Sequence, residues 1–440
     1  MQKNALFALA LAACLALSGC AAPAPDAGAA SRTAGAPAQI SVQNSAQSTQ
    51  SADTAPAGPL RLLQGFGGVP LGGFGPDGLY FVTPWARADG SFNLWYADYA
   101  SRQILPLCAA PGCPHDSDSC TSYIPLSPGG ALPEVVGETL VLFFPGQPGG
   151  GSDASALPRL EVMGLDGSDR REALRFAANQ TVERPMATDG SVIYARLNTY
   201  LEKTTEAELV CIDPVKGTCR TVCPLSAEQN EWVWGCVGSS LILYRTGEAG
   251  GYELVRLDLA TLEWETVYQW AEDQPYPFLF GSTLVYENQQ DRRFHLLDLA
   301  TGQDTALSGY TLPEPGGSTQ ATVYDCDAGH LLFEERVFAP GTGTLEQERF
   351  YTLSADGSAP KEWALTYSYL GETTAASRVT DLDQDHYLII LSQQDVSLPQ
   401  TAADGTTYYV PGTKPQYAAI SKADYWAGTP SAEPFGDWGL

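Results

Sequence analysis

The chain has 440 residues, with 51 acidic against 24 basic side chains and a formal net charge of −27. Nucleic-acid binding rests on clustered Lys and Arg against phosphate, and docking on anionic lipid rests on the same cations, so this balance argues against both; its plainest consequence is solubility. With 44 Gly, 31 Pro and aromatics at 10%, the composition is that of a turn-rich globular chain, and no apolar run reaches the roughly 20 residues that a membrane-spanning helix needs.

The first residues, Met1-Gln2-Lys3-Asn4, carry one positive charge and lead into an apolar run from Ala5 to Leu17. At about 13 residues this run is too short to span a bilayer, and it ends at small residues, as a secretory signal does. The tetrapeptide Leu17-Ser18-Gly19-Cys20 resembles the lipobox of bacterial lipoproteins at all four positions. The resemblance implies a signal peptide over 1–19 and Cys20 as a lipidated mature N-terminus, with two or more acyl chains for stable anchorage. From 20 to 58 follow Ala, Pro, Ser, Gln, Gly, Thr and Asn almost alone, with no aromatic residue and only Asp26, Arg32 and Asp53 charged. Such a segment buries too little apolar surface to offset its ordering entropy and is expected to be a disordered linker spanning roughly 35 Å. The expectation is an extracytoplasmic, membrane-anchored protein, at the cell surface or on the periplasmic side, whose membrane partner is reached through lipid alone.

From residue 59 to 440 a unit recurs: a short turn, a β-rich run, a variable loop, a second run, a polar turn and a third run. The first runs follow Gly75-Pro76-Asp77-Gly78, Gly137-Glu138, Asp189-Gly190, Gly238-Ser239-Ser240, Gly281-Ser282, Asp327-Ala328-Gly329 and Asp383-Gln384-Asp385. Second runs such as Leu-Val-Arg-Leu-Asp-Leu-Ala-Thr (254–261) and Phe-His-Leu-Leu-Asp-Leu-Ala-Thr-Gly (294–302) follow in each unit. Val, Ile, Leu and Tyr bounded by Gly, Asp and Pro predict strands joined by tight turns, and helix is expected to be scarce. The predicted class is all-β: a β-propeller of seven blades, each of four antiparallel strands a to d, with six or eight blades or a β-sandwich as alternatives. The turn Gly75-Pro76-Asp77-Gly78 before an apolar run, with the later Leu-Asp-Leu-Ala-Thr-Gly, resembles the TolB-like propeller repeat over residues 75 to about 435. Lys422-Ala423-Asp424-Tyr425 departs from that repeat where a polar turn belongs. Leu60 to Leu63 is expected to close the ring as an added strand beside the last blade.

Alternating strand direction puts a–b and c–d turns on one face of the disc and b–c and d–a loops on the other. The second face collects the long connections 144–159, 337–348 and 394–416, and recognition usually sits on such loops. The candidate ligand-binding residues there are Trp85, Tyr200, Trp232, Tyr276, Tyr369, Tyr408 and Tyr409, although aromatic residues in such places more often pack between blades; Tyr and Trp offer rigid area with a polar tip for a peptide or glycan.

Cys108, Cys113, His115 and Cys120 fall within thirteen residues of the first d–a connection. They match the donor set of a tetrahedral, structural zinc site. Outside the cytoplasm, disulfides compete for the same thiols, and both readings stay open, with Asp116 and Asp118 as possible partners of His115. Cys211 and Cys219 flank a hairpin turn and can be drawn facing each other. No other cofactor is implied.

No Gly-x-Ser-x-Gly elbow, phosphate loop or His-Glu-x-x-His helix occurs. Asp381-Leu-Asp383-Gln-Asp385 opens like a calcium loop but lacks its glycine and its final glutamate. His295, His330 and His386 read as satisfied strand residues. The expected function is therefore a non-catalytic binding or scaffolding propeller, monomeric, for an envelope protein, peptide or glycan. The alternatives are an extracytoplasmic glycan lyase or hydrolase using paired carboxylates, and a metal- or redox-responsive module at Cys108–Cys120.

Overall fold

The computed structural model describes residues 55–438 except 64–71, 84–85, 88, 129, 148–155, 248–249, 370–371 and 402–405. The signal segment, Cys20, most of the linker and Trp85 lie outside the described residues.

Seven four-stranded antiparallel sheets follow one another, each ordered a-b-c-d from consecutive strands. They run from Gly72–Phe74 to Ile104–Pro106 (blade 1), Leu132–Val136 to Arg171–Arg175 (blade 2) and Gln180–Thr188 to Thr218–Leu225 (blade 3). Blades 4 to 7 run from Trp232–Val237 to Trp264–Trp270, Phe278–Phe280 to Asp304–Ala306, Thr319–Asp327 to Lys361–Trp363 and Ser377–Asp381 to Glu433–Pro434. The expected seven-bladed propeller is the observed fold.

Each blade packs a neighbour on both of its faces, so both parities of its central strands must be apolar. In strand b of blade 4, Leu241 and Leu243 enter the core shared with blade 3, while Ile242 and Tyr244 enter the core shared with blade 5. Strand b of blade 6 repeats the division, with Leu331 and Phe333 toward blade 5 and Leu332 toward blade 7. This double burial explains the continuous apolar runs. The buried apolar residues form seven clusters, one per pair of adjacent blades. The last joins Leu79, Phe81 and Trp95 of blade 1 to Leu388, Ile390, Tyr417, Phe435 and Trp438 at the other end of the chain. That cluster closes the ring.

The recurrent Asp at the end of strand c has a local cause. The carboxylates of Asp98, Asp213, Asp258 and Asp298 accept backbone N–H groups of Ser101, Lys216, Thr261 and Ala300 across the c–d turn, as an Asx turn does. In blade 7 Ser421 stands at this point, and its hydroxyl accepts the Asp424 N–H as the N-cap of helix α1, Lys422–Ala427, which ends on Gly428 at φ +68°. The departure from the repeat is thus a capped helix. It drives Tyr425 and Trp426 into the seam with blade 6, where the Tyr425 hydroxyl donates to Asp325 at 2.9 Å.

Two expectations are corrected. Arg61–Leu63 does not join the last blade: it pairs antiparallel with strand a of blade 3, Leu63 opposite Met186. Blade 7 takes its fourth strand from Glu433–Pro434 instead, so no outer edge is left for Leu60 to Leu63. They find the open inner edge of blade 3, where Leu60 and Leu63 fill the cores toward blades 4 and 2 and the Arg61 guanidinium donates to the Val135 carbonyl. Nearby, burial pushes the Glu134 carboxyl well above its usual range, against the charges of Arg61 and Arg184. The connection 394–416 is likewise no loop: strands b and c of blade 7, His386–Thr401 and Thr407–Ser421, continue as one paired arm.

The Trp438 ring meets Phe81 and Trp95 edge-on at 5.1 and 5.5 Å, and the Gly436 N–H donates to the Arg102 carbonyl at 2.7 Å. Trp438→Ala is expected to cost about 3–5 kcal/mol, read as a lower urea midpoint at unchanged slope. A loss below about 1 kcal/mol, within the range of an ordinary surface change, would show that the C-terminal tail does not close the ring.

Candidate metal centre and aromatic face

Strand d of blade 1, Ile104–Pro106, pairs with strand c as far as Trp95 and stops; the pairing resumes at Tyr123–Ile124 against Asn93 and Phe92. Residues 107–122 leave the sheet between these two pieces. Both ends of the excursion are fastened at Leu94: its carbonyl accepts the Leu107 N–H and the Ser122 hydroxyl at 2.9 Å each, and its N–H donates to the Ser122 carbonyl at 2.7 Å. This is an Ω-type loop, with neighbouring ends and a compact body.

Inside it the donor atoms of Cys108, Cys113, His115 and Cys120 all lie within 4.8 Å of one another. Gly112 at φ +68° and His115 at φ +58° reverse the chain to bring them together. The His115 Nδ1 lies 3.2 Å from the Cys120 Sγ. The Cys108 sulfur accepts the Ala110 N–H, and the Cys120 sulfur accepts the Ser122 N–H. Burial pushes the Cys108 thiol up, but the Ala110 amide and the hydrogen bonds of Cys120, Cys113 and Thr121 bring it below its ordinary value. Burial raises the deeper Cys120 to about 12. The His115 carbonyl accepts Arg87 Nη1 at 3.1 Å and Asn93 Nδ2 at 2.9 Å. Asp116 and Asp118 are exposed, so it is Arg87 and Asn93 that hold this turn. Four converging sulfur and imidazole donors can bind a metal ion.

The remaining described cysteines are of another kind. Burial raises Cys211 and Cys236 to about 11 and Cys219, Cys223 and Cys326 to about 12, which keeps them as protonated, packed thiols. Cys219 stands opposite Ile212 and Cys211 opposite Arg220. A one-residue offset puts the two cysteines on opposite faces of blade 3, so they do not face each other as expected.

Trp232 and Tyr276 are brought together. The cross-strand pairs Trp232–Tyr244 and Tyr252–Trp270 sit at the loop-face ends of the four strands of blade 4. Ring centroids 5.1–5.9 Å apart link Trp232, Trp234, Tyr244, Tyr252, Trp270 and Tyr276 into one cluster. Tyr276 is 47% exposed and Phe278 beside it 40%. The seam between blades 4 and 5 has six buried apolar residues, whereas every other seam has ten or more; of its aromatic rings Tyr244 and Trp270 are buried, Trp232, Trp234 and Tyr252 half-buried and Tyr276 exposed at the loop face. Tyr200, Tyr408 and Tyr409 are exposed and Tyr369 half-buried, and among the described residues no ring contact joins them to this cluster. Sequence reading missed Trp234, Tyr244, Tyr252 and Trp270 because each falls inside a strand run. The available signal was that blade 4 ends all four strands on the same face with an aromatic residue.

The three strand histidines are satisfied. His295 holds Asp304 through Nδ1 at 3.0 Å and Asp291 through Nε2 at 2.9 Å, His330 meets the Ser354 hydroxyl at 3.1 Å, and His386 meets Asp383 at 3.0 Å. One pair of carboxyl groups meets in blade 6. Glu334 and Glu348 hydrogen-bond to each other, and Arg336 Nε donates to both, at 2.8 and 2.9 Å. Burial first, then Glu348, raises Glu334 to about 7.

No protein-family model matches the chain, and no curated protein matches it. Among solved structures it is similar to an oligogalacturonate lyase from Vibrio parahaemolyticus, at 11% identity over 83% of this chain and 92% of that one, with a TM-score of 0.45. It is also similar to dipeptidyl peptidase 4 from Porphyromonas gingivalis, at 9% identity over 82% of this chain and 51% of that one, with a TM-score of 0.42. A third is TolB from Acinetobacter baumannii, at 11% identity over 79% of this chain and 77% of that one, with a TM-score of 0.32. The chain spans about half the length of the peptidase. Enzymes and a non-enzyme thus stand side by side among these structures, and the likeness brings no activity to this chain.

Proposed function

We propose that the protein is a lipid-anchored, non-catalytic binding module of the bacterial envelope, which holds a peptide or glycan on its b–c and d–a face. The observation that carries this reading is the aromatic seam of blades 4 and 5. The exposed Tyr276 and the half-buried Trp232, Trp234 and Tyr252 offer aromatic surface on which a sugar ring or the apolar side chains of a peptide can stack. Arg245 pairs with Glu231 and Glu253 beside the rings, which leaves the exposed Glu272 as the nearby carboxylate that favours an uncharged or cationic ligand over an acidic one.

The Cys108–Cys120 cluster holds a structural zinc ion in this reading. Thiolate and imidazole donors suit Zn2+ rather than oxygen-preferring cations, and four protein ligands leave no open position for chemistry. A disulfide would use two of the three thiols and give the convergence of the third thiol and His115 no role.

The glycan lyase or hydrolase alternative needs two carboxyl groups open to substrate. Asp291 and Asp304, the more open pair, are both engaged by His295, while Glu334 and Glu348 are 2% and 9% exposed and are locked by Arg336. They staple strands b and c of blade 6.

Three outcomes are expected. In the full chain, Trp232→Ala and Tyr276→Ala each weaken binding by about tenfold in calorimetric titrations of glycans and envelope peptides, the exposed Tyr276→Ala at unchanged melting temperature; a panel that finds no saturable ligand removes the proposal. Cys20→Ala moves the protein from the membrane fraction to the soluble one on fractionation of the producing cells, and a variant that stays with the membrane counts against lipid anchorage. Glu334 is held at about 7 when folded against an ordinary 4.5, so folding takes up a proton there. The stability it contributes is whole below pH 4.5 and is lost as pH rises through 7. Urea melts of Glu334→Gln should therefore lack the decline that wild type shows across that window, and parallel curves for the two proteins would refute the buried acid pair.

A further inference from the structure

We infer that the metal ion is the only core of the 107–122 loop, so that occupancy of the site switches this part of the loop face between an ordered and a disordered state. The inference rests on the zinc assignment proposed above and goes beyond it, from what the site holds to what the site controls.

The loop has almost nothing else to fold around. Leu107, Cys120 and Ser122 are its only buried residues, and no residue from Cys108 to Ser119 is buried. Ala109, Ala110, Pro111, Gly112 and Pro114 are all exposed, as are Asp116, Ser117, Asp118 and Ser119. Twelve residues without a buried apolar side chain cannot offset their own ordering entropy by desolvation. The internal backbone bonds are single turns, Cys113 N–H to Ala110 O at 3.3 Å and Cys120 N–H to Ser117 O at 2.9 Å, which close nothing beyond themselves. The loop body is attached to the blade through the His115 carbonyl, held by Arg87 and Asn93.

The four donors are spaced to supply what is missing. Cys108 leaves the sheet one residue after Leu107, Cys120 returns to it two residues before Ser122, and Cys113 and His115 stand on the far reversal. One ion coordinated by all four cross-links exit, tip and return, and removes most of the conformational freedom of the open loop. With both ends fixed at Leu94 by sheet hydrogen bonds, loss of the ion frees the body of the loop without breaking the blade. The exposed tip Asp116-Ser117-Asp118-Ser119 then changes from a presented turn, with the Ser117 and Ser119 hydroxyls 3.0 Å apart, to a fluctuating one.

The experiment uses the full chain purified under reducing conditions, with metal content measured by mass spectrometry and amide hydrogen exchange followed before and after chelation. Expected are one zinc ion per chain, a rise of at least about tenfold in exchange confined to 107–122 on chelation, reversal on adding Zn2+ alone, and an unchanged melting temperature of the propeller. His115→Ala should reproduce the chelated exchange pattern at a weakened zinc affinity. Zinc bound stoichiometrically with no change in exchange over 107–122 on its removal overturns the switch and leaves the metal site standing. No zinc, with a disulfide found between two cysteines of the cluster, overturns the metal assignment itself.

Discussion

Everything in this molecule depends on the sharing of each blade's two faces with its neighbours. A four-stranded sheet with Leu241 and Leu243 on one side and Ile242 and Tyr244 on the other has no solvent face at its centre, so a blade outside the ring would expose an apolar surface on both sides. The ring is consequently all-or-nothing, and its weakest logical point is the seam between the two ends of the chain. Here each terminal blade is completed by its own strands, and no strand pairing crosses the seam, which is held by side-chain packing, with Trp438 wedged against Phe81 and Trp95, and by the Gly436 N–H on the Arg102 carbonyl. The usual economy of lending a strand across the closure is replaced by aromatic packing.

The same ring divides labour between its faces. On the tight-turn face the Asp residues at the ends of strands c bind their own turns, a local device that leaves little freedom for variation. The N-terminal segment also meets the ring there: the Ala57 N–H donates to Asp189 and the Leu60 N–H to the Gly238 carbonyl, both in a–b turns. The segment then runs up the inner edge of blade 3 in the direction of the loop face.

How far this was legible in the sequence follows from the range of the interactions involved. The repeat, strands b and c, and the scarcity of helix are written in nearest-neighbour patterns: apolar runs, Gly turns and the Asp that caps its own turn. The position of Arg61–Leu63 is not, because three residues carry no periodicity and their pairing with Met186 to Thr188 spans more than a hundred residues. Helix α1 was visible only as a broken repeat, although Ser421 and Gly428 are ordinary cap residues. The seven aromatic candidates were chosen by loop position, and two of them proved to share a cluster whose other members sit inside strands, where sequence alone does not separate a ring packed in a seam from one that surfaces at its end. The Cys211–Cys219 guess failed on parity, since a single residue of register decides the face.

The cysteines show how the fold itself separates clustered from isolated thiols. Five sit within or beside the seams, where burial raises them and strand register sets them apart, so packing assigns them the part of small apolar residues. The other three lie in a loop that buries almost nothing, and there backbone amides are turned toward the sulfurs of Cys108 and Cys120. An N–H directed at sulfur stabilises the thiolate and costs the backbone a carbonyl partner, which a loop with no demand on its sulfurs has no reason to do. A chain that can hide a thiol in any of seven seams instead gathers three of them with an imidazole on the face where ligands would meet it. Convergence in that place, rather than the presence of Cys and His as such, is what makes the loop a candidate metal centre.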